Sequence, residues 1–125
     1  MENLIADNVA SDWIPKDRRS IEEWALSNLT LSPPLTKTGP FDTRDSRHFI
    51  APLGALQDDA VREVNILGPV RGGKTLIAEV WSAWIIRNEP GPMRWVFQDD
   101  KAACDECELR IWPMIINNRW LRNML

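Results

Sequence analysis

The chain has 125 residues, of which 44% are hydrophobic and 26% charged, and its net charge is −3. This length predicts about one domain, and the composition excludes a disordered chain. No apolar run approaches the roughly 18 residues of a membrane span, and no secretory signal follows the first residue. Residues 1–60 carry a net charge of −4 and residues 61–125 of +1, which excludes a broadly basic nucleic-acid-binding surface. Two cysteines exclude a disulfide scaffold and favour a reducing compartment.

The first part of the chain predicts two helices joined by a stiff connection. Ser20 and Glu23 have the spacing of a capping box, which predicts a short amphipathic helix near 21–30. Residues 32–45 contain three prolines and one glycine, a composition typical of a linker or extended arm. A second helix is predicted over 46–57, in which Pro52 starts a new turn or kinks the old one.

From residue 61 the pattern alternates between strands and helices. Residues 61–67 and 94–98 have the length and β-branched content of strands, and 74–87 predict a helix buried on more than one side. A third helix is predicted after Asp99, with a kink at Pro113. Strand, glycine-rich loop, helix, strand and helix in this order predict a βαβ unit with a parallel sheet and a right-handed crossover.

Residues 68–75 read GPVRGGKT and match the motif GxxxxGK[ST]. Glycines allow successive backbone N–H groups to turn towards phosphate oxygens, and the helix that follows adds its positive end. Lys74 is expected to contact the β- and γ-phosphates of ATP, and the Thr75 hydroxyl to bind Mg²⁺. The alternative is a glycine-rich turn that binds nothing. The residues predicted to bind the nucleotide are Gly68, Pro69, Val70, Arg71, Gly72, Gly73, Lys74 and Thr75.

Two other features near this loop leave alternatives open. Arg71 is a candidate catalytic residue that could stabilise charge on the γ-phosphate or act on a neighbouring subunit, or it could be a solvated loop residue. Asp99 and Asp100 follow the second predicted strand, where a carboxylate can hold Mg²⁺. The helical pattern that begins there favours a helix cap.

The remaining chemistry-bearing side chains favour structural interpretations. Cys104 and Cys107 lie on the apolar stripe of the third helix, and His48 is the only histidine, so buried packing is favoured over a metal or redox site. Three arginines could touch a phosphate backbone, but a solvated face is favoured; they are Arg110, Arg119 and Arg122. The seven tryptophans are expected mostly in the core, including Trp81, Trp84 and Trp95.

From Pro40 to Leu125 the sequence resembles the ATPase region of phage terminase large subunits of the GpA, or lambda-like, family. The resemblance rests on an ordered series of segments rather than on one motif. The segments are Gly39-Pro40-Phe41, Leu53-Gly-Ala-Leu56, the strand and loop up to Thr75, Glu89-Pro-Gly-Pro-Met93 with WVFQ, Ile111-Trp-Pro-Met114, and Trp120-Leu121.

The resemblance implies a P-loop NTPase fold and an ATP-driven motor that packages viral DNA into capsids in the bacterial host cytoplasm. In this family a C-terminal nuclease cuts the DNA. The implied partners are the terminase small subunit, the portal protein, double-stranded DNA and other copies of the motor subunit in a ring. Phe41 stands where the family commonly has tyrosine, which implies stacking on adenine without the hydroxyl. Residues 1–31 could meet the small subunit or be a plain extension.

The resemblance also predicts the domain organisation. Residues 1–38 would form a helical extension with a proline-rich linker, and residues 39–125 the N-terminal portion of the ATPase domain. No strand ending in Asp-Glu follows the third helix, so the Walker B acid is expected to be missing and this piece to be inactive alone. The alternatives are another P-loop DNA motor or helicase, and a remnant that binds nucleotide or a partner without turnover.

Overall fold

The computed structural model of the protein describes residues 17–31, 33 and 38–124. The first sixteen residues, residues 32 and 34–37 of the predicted linker, and residue 125 therefore lie outside the described residues. Part of the segment proposed to meet a small subunit, and one of the seven tryptophans, Trp13, lie there too. None of the helices in the described ranges is long and apolar enough to cross a membrane.

The predicted N-terminal helix is confirmed as α1, Ile21–Asn28. Its capping box is complete: Ser20 Oγ accepts from Glu23 N at 3.1 Å, and the Glu23 carboxylate accepts from Ser20 N at 3.3 Å. Two amides that the helix itself cannot pair are thereby satisfied. The helix begins where the sequence predicts because these contacts are local.

A small antiparallel sheet follows α1. Strand β1, Thr30–Leu31, pairs with β2, Gly39–Pro40, so that Thr30 lies opposite Pro40 and Leu31 opposite Gly39. Gly39 has φ +106°, a conformation that favours glycine. The pairing brings the two ends of the proline-containing connection together.

The predicted helix over 46–57 forms in two parts. A 3₁₀ turn, Arg47–Phe49, leads directly into α2, Ile50–Gln57. Pro52 lies in the first turn of α2, where its missing N–H costs no helical hydrogen bond. The proline therefore belongs to a helix start rather than to a kink in a helix interior.

The long apolar helix is confirmed as α3, Lys74–Asn88. It buries the apolar residues Ile77, Val80, Ala83 and Trp84, together with the polar side chains of Glu79 and Ser82. Ser82 Oγ donates to the carbonyl of Ala78 at 2.8 Å and accepts from Trp95 Nε1 at 3.2 Å.

The predicted third helix is divided into several elements. They are α4, Asp100–Glu106, a π-helical turn, Cys107–Ile111, then α5, Trp112–Asn117, and α6, Arg119–Arg122. Pro113 lies in the first turn of α5, directly after the π turn, so the irregularity precedes the proline. A π turn contains more residues per turn than an α-helix and therefore shifts the phase of the side chains that follow it.

One hydrophobic core connects α1, α2, α3 and the C-terminal helices. Its buried members are Ile21, Trp24, Ala25, Leu29, Phe41, Phe49, Leu53, Ile77, Val80, Ala83, Trp84, Met114 and Leu121. The tryptophans divide: Trp24 and Trp84 are in this core, Trp81, Trp95 and Trp120 are half-buried, and Trp112 is exposed.

Polar contacts join the end of α1 and the segment after it to the C-terminal helices. Asn118 is buried; its Oδ1 accepts from Thr30 N at 2.9 Å, and its Nδ2 donates to the Thr30 carbonyl at 3.1 Å. The Trp120 indole donates to the Asn28 carbonyl at 2.9 Å and meets Trp24 edge to face. Residues 21–31 therefore pack within the same core as the rest, and the domain boundary at residue 38 stays a prediction.

The two predicted parallel strands are wrong as hydrogen-bonded elements. Within the described ranges, residues 61–67 and 94–98 pair with no strand, and the only sheet is the two-stranded antiparallel one. Leu67 is 97% exposed and Val96 81% exposed. A strand needs a neighbour to receive its backbone hydrogen bonds, so local β-propensity alone does not form one. The described fold is thus helical with a small antiparallel sheet.

Candidate functional site

The glycine-rich loop leads from the exposed segment 61–67 into the first turn of α3. A hydrogen bond of 3.1 Å from Gly72 N to the Pro69 carbonyl closes a four-residue turn at its tip. Arg71, the third residue of that turn, has φ +62° and an exposed side chain. Residues other than glycine rarely adopt positive φ, so Arg71 carries backbone strain.

Gly73 joins the loop to α3 in a conformation that only glycine fits here. Its φ is +80°, and it precedes the first residue of the helix. A Cβ built on Gly73 would lie 2.6 Å from Cε1 of the Phe49 ring and closer still to Cζ. Phe49 is itself buried, so its ring cannot move away from the loop backbone without disturbing the core.

His48 contacts the loop beside Phe49. Its Nε2 lies 3.2 Å from the Gly72 carbonyl oxygen, and its ring packs edge to face on Phe49 with centroids 4.4 Å apart. A carbonyl oxygen only accepts, so Nε2 carries the hydrogen in this contact. The 3₁₀ turn therefore supports two consecutive residues of the loop, Gly72 and Gly73.

Lys74 folds its ammonium group back over the loop. Its Nζ donates to the Gly68 carbonyl at 3.0 Å and to the Pro69 carbonyl at 2.6 Å. These are neutral acceptors, whereas a phosphate oxygen is charged and forms the stronger hydrogen bond with an ammonium group. The cation is consequently held at the loop by contacts that an anion can replace.

The start of α3 supplies further donors beside this ammonium group. The first helical hydrogen bond runs from Ile77 N to the Gly73 carbonyl at 3.1 Å. By helix geometry the amides of Lys74, Thr75 and Leu76 have no acceptor within the helix. Together with the helix dipole they favour an anion at this end. The Thr75 hydroxyl lies on the same turn, as its predicted role as a Mg²⁺ ligand requires, and that role stays a prediction.

The residues present therefore fit a polyphosphate bound with Mg²⁺. A positive-φ glycine, a lysine on replaceable contacts and helix amides lie on one short segment, and no acidic side chain lies within the sequence from 68 to 75. Arg71 lies at the tip of the loop, and its catalytic role stays a prediction.

Phe41 occupies a different environment from the one that adenine stacking requires. Its side chain is 2% exposed and belongs to the core, and its amide donates to the Leu29 carbonyl at 2.9 Å. A ring with both faces packed has no surface for a base. Stacking on adenine would require Phe41 to leave the core.

The interpretation of Asp99 as a helix cap is confirmed. Its carboxylate accepts from Ala102 N at 2.7 Å, and its backbone is extended where α4 begins. Asp100 is the first residue of α4 and lies at the favourable end of its dipole.

The prediction that Cys104 and Cys107 are buried is wrong. Both thiols are free and exposed, and α4 buries none of its residues. An apolar stripe is buried only where another element packs on it, and in the structure α4 and the start of the π turn lie outside the core. Within the described ranges no group of three metal-ligating side chains forms.

Arg110 does not lie on a solvated face. Its Nε is 2.6 Å from Oε1 of Glu79, which is buried within α3, and 3.4 Å from Oε1 of Glu106. Arg119 and Arg122 are exposed, as predicted. Burial raises the pKa of Glu79, and the nearby Arg110 charge opposes that rise.

Sequence reasoning missed the contacts of Glu79, His48 and Phe49. A single carboxylate inside an almost wholly apolar helix is a signal for a buried ion pair, although it does not identify the partner. No comparable signal marks His48 and Phe49, because their contacts with the loop depend on how α2 packs against α3.

Comparison with known proteins gives one result. The family model described as phage terminase large subunit gpA, ATPase domain, matches residues 36–125. No curated protein and no solved structure matches the chain. The matched region contains the whole glycine-rich loop, α3 and the helices after it.

Proposed function

Because the chain belongs to the family of phage terminase large subunit gpA ATPase domains, we propose that residues 68–75 bind ATP with Mg²⁺. The wider role we propose is that of an ATP-driven motor subunit that packages viral DNA. The observation that carries the proposal is the position of Lys74, whose ammonium group lies over the loop on two replaceable carbonyl contacts.

Nucleotide binding would exchange one set of Lys74 contacts for another. The ammonium group leaves the carbonyls of Gly68 and Pro69 and meets the charged β- and γ-phosphate oxygens. The amides at the start of α3 would donate to the same phosphate oxygens, and the Thr75 hydroxyl would be a ligand of the Mg²⁺ ion. When bound, MgATP supplies the phosphoryl group whose transfer to water releases free energy.

The fold around the loop is proposed to be that of a P-loop NTPase. In such a fold the segments 61–67 and 94–98, which pair with no strand within the described ranges, would lie against further strands that cover them. The exposed side chains of Leu67 and Val96 support this proposal, because they are apolar surface that a sheet neighbour would cover.

Hydrolysis also needs an acid that orients water and holds the metal. Asp99 is committed to capping α4. We therefore propose that the 125-residue chain binds MgATP without steady turnover. The small subunit, the portal, double-stranded DNA and other motor subunits are the proposed partners of the motor in the host cytoplasm.

Calorimetric titration of the full chain with MgATP, paired with a phosphate-release assay, tests both parts. We expect saturable binding that depends on Lys74, and no phosphate release above that of the Lys74→Ala variant. Absence of binding would refute the nucleotide site. Steady release that depends on Lys74 would refute the proposal of binding without turnover, and would favour a complete ATPase.

A further inference from the structure

We propose that His48 is a positioning residue for the phosphate-binding loop: by donating to the Gly72 carbonyl, it orients the Gly73 N–H for a phosphate oxygen. This inference rests on the proposed nucleotide site and adds a residue outside the glycine-rich motif. The 24 positions between His48 and Gly72 exclude a contact imposed by local sequence.

The orientation follows from peptide geometry. In a planar trans peptide the C=O of one residue and the N–H of the next point in opposite directions. The Gly72 carbonyl points to His48 Nε2 at 3.2 Å, so the Gly73 N–H points away from the His48 ring. A rotation of this peptide would break the His48 contact and would turn the N–H towards the 3₁₀ turn.

Phe49 restricts the same peptide from a second position. Its buried ring lies against Gly73 so closely that a Cβ there would overlap it. The ring packs on His48 as well, with centroids 4.4 Å apart. The buried Phe49 ring therefore restricts the His48 ring, and the His48 ring in turn restricts the Gly72 carbonyl.

The effect expected of this support is preorganisation. Glycines at 72 and 73 allow many backbone conformations, and each must be restricted before successive amides can meet one anion. A single hydrogen bond that selects the productive peptide orientation before binding lowers the conformational entropy that the loop loses when the nucleotide binds. Its loss should weaken nucleotide binding about threefold to tenfold, the range expected for one net hydrogen bond.

The test compares His48→Ala with His48→Gln, whose side-chain amide can donate from nearly the same place as Nε2. For the parent and each variant we would measure MgATP affinity by calorimetry, and amide hydrogen exchange of residues 68–77 without nucleotide. His48→Ala should bind about threefold to tenfold more weakly and exchange faster in the loop, by a similar factor. His48→Gln should restore both, and the unfolding midpoint should stay near that of the parent.

The outcomes separate the two proposals. Unchanged loop exchange and affinity in His48→Ala, or a His48→Gln variant as impaired as His48→Ala, would overturn the role of His48 while leaving nucleotide binding intact. Binding that fails in the parent would refute the nucleotide site. If the parent does not bind MgATP but the loop of His48→Ala still exchanges faster than that of the parent, His48 orders the loop without serving a phosphate site.

Discussion

Arg110 places its guanidinium 2.6 Å from the carboxylate of Glu79, a side chain buried on the helix that begins with the lysine of the loop. Glu106, one turn before Arg110, lies 3.4 Å from the same Nε atom. One cation therefore serves two carboxylates, and it joins α3 to the helical segment 100–117. Removal of the Arg110 cation and removal of the Glu79 charge should therefore lower the free energy of unfolding by different amounts.

Replacing Arg110 with methionine should destabilise the protein strongly. The variant leaves Glu79 buried without a cation and facing Glu106, and breaking a buried pair in this way typically costs about 3–5 kcal/mol. Glu79→Gln should cost much less, because Arg110 keeps Glu106 as its partner. Chemical denaturation at neutral pH measures both, with Arg119→Met as the control for an exposed arginine. Equal losses for Arg110→Met and Arg119→Met would contradict the structural role of the pair.

Relative to the Glu79→Gln variant, the parent should lose stability as the pH rises through the acid range. Burial raises the pKa of this carboxyl above its ordinary value of 4.5, so the folded state holds the proton more tightly than the unfolded state. The contribution is present below pH 4.5 and is lost as pH rises through the folded-state pKa. Denaturation of the parent and Glu79→Gln between pH 4 and 7 isolates it. A parent curve that runs parallel to that of Glu79→Gln would contradict this expectation.

Gly73→Ala and Gly54→Ala should change stability in opposite directions. At Gly73 an alanine meets a φ of +80° and the Phe49 ring, so strain of about 1–2 kcal/mol is joined by displacement of a buried side chain. Gly54 lies within α2 with nothing near its missing Cβ, and alanine there should stabilise by about 0.5–1 kcal/mol. Urea denaturation of both variants provides the comparison. A stabilised Gly73→Ala would show that the loop conformation is wrong.

Lys74→Ala should reduce MgATP affinity by about one to two orders of magnitude with little change in stability. The variant removes a charge-assisted contact of roughly 1.5–3 kcal/mol, while the two carbonyl contacts it also loses lie at a solvent-accessible loop. Lys101→Ala, an exposed lysine on α4, is the control for loss of one positive charge. Calorimetry on all three proteins measures the difference. Equal affinities for Lys74→Ala and Lys101→Ala would remove the lysine from the site.

The features that the sequence predicts correctly are those that depend on nearby residues. The capping box of Ser20 and Glu23, the Asp99 cap and the start of α3 at Lys74 all involve contacts within a few positions. Strand pairing of 61–67 depends on segments far along the chain, and periodicity carries no information about their presence.

In the candidate site, too, the sequence predicts the features that depend on nearby residues and misses those that depend on packing. The motif places Lys74 and Thr75 at a helix start, because glycine and lysine spacing is local. The contacts of His48 with Gly72 and of Phe49 with Gly73 span 24 residues each and arise from packing. The exposure of Cys104 and Cys107 reflects the absence of a packing partner for α4, which an apolar period does not predict.

The exposed apolar side chains of the two unpaired segments should make the isolated chain associate with itself. Leu67 is 97% exposed and Val96 81% exposed, and within the described ranges neither segment pairs with a strand, so each offers apolar surface to another chain. Light scattering after size-exclusion chromatography should show an apparent mass that rises with concentration. The double variant Leu67→Lys/Val96→Lys should remain monomeric, since charge on an exposed edge opposes pairing. Leu26→Lys, at a residue 41% exposed on α1, is the control and should associate as the parent does. A parent that stays monomeric at every concentration would mean that these segments are covered within the chain itself.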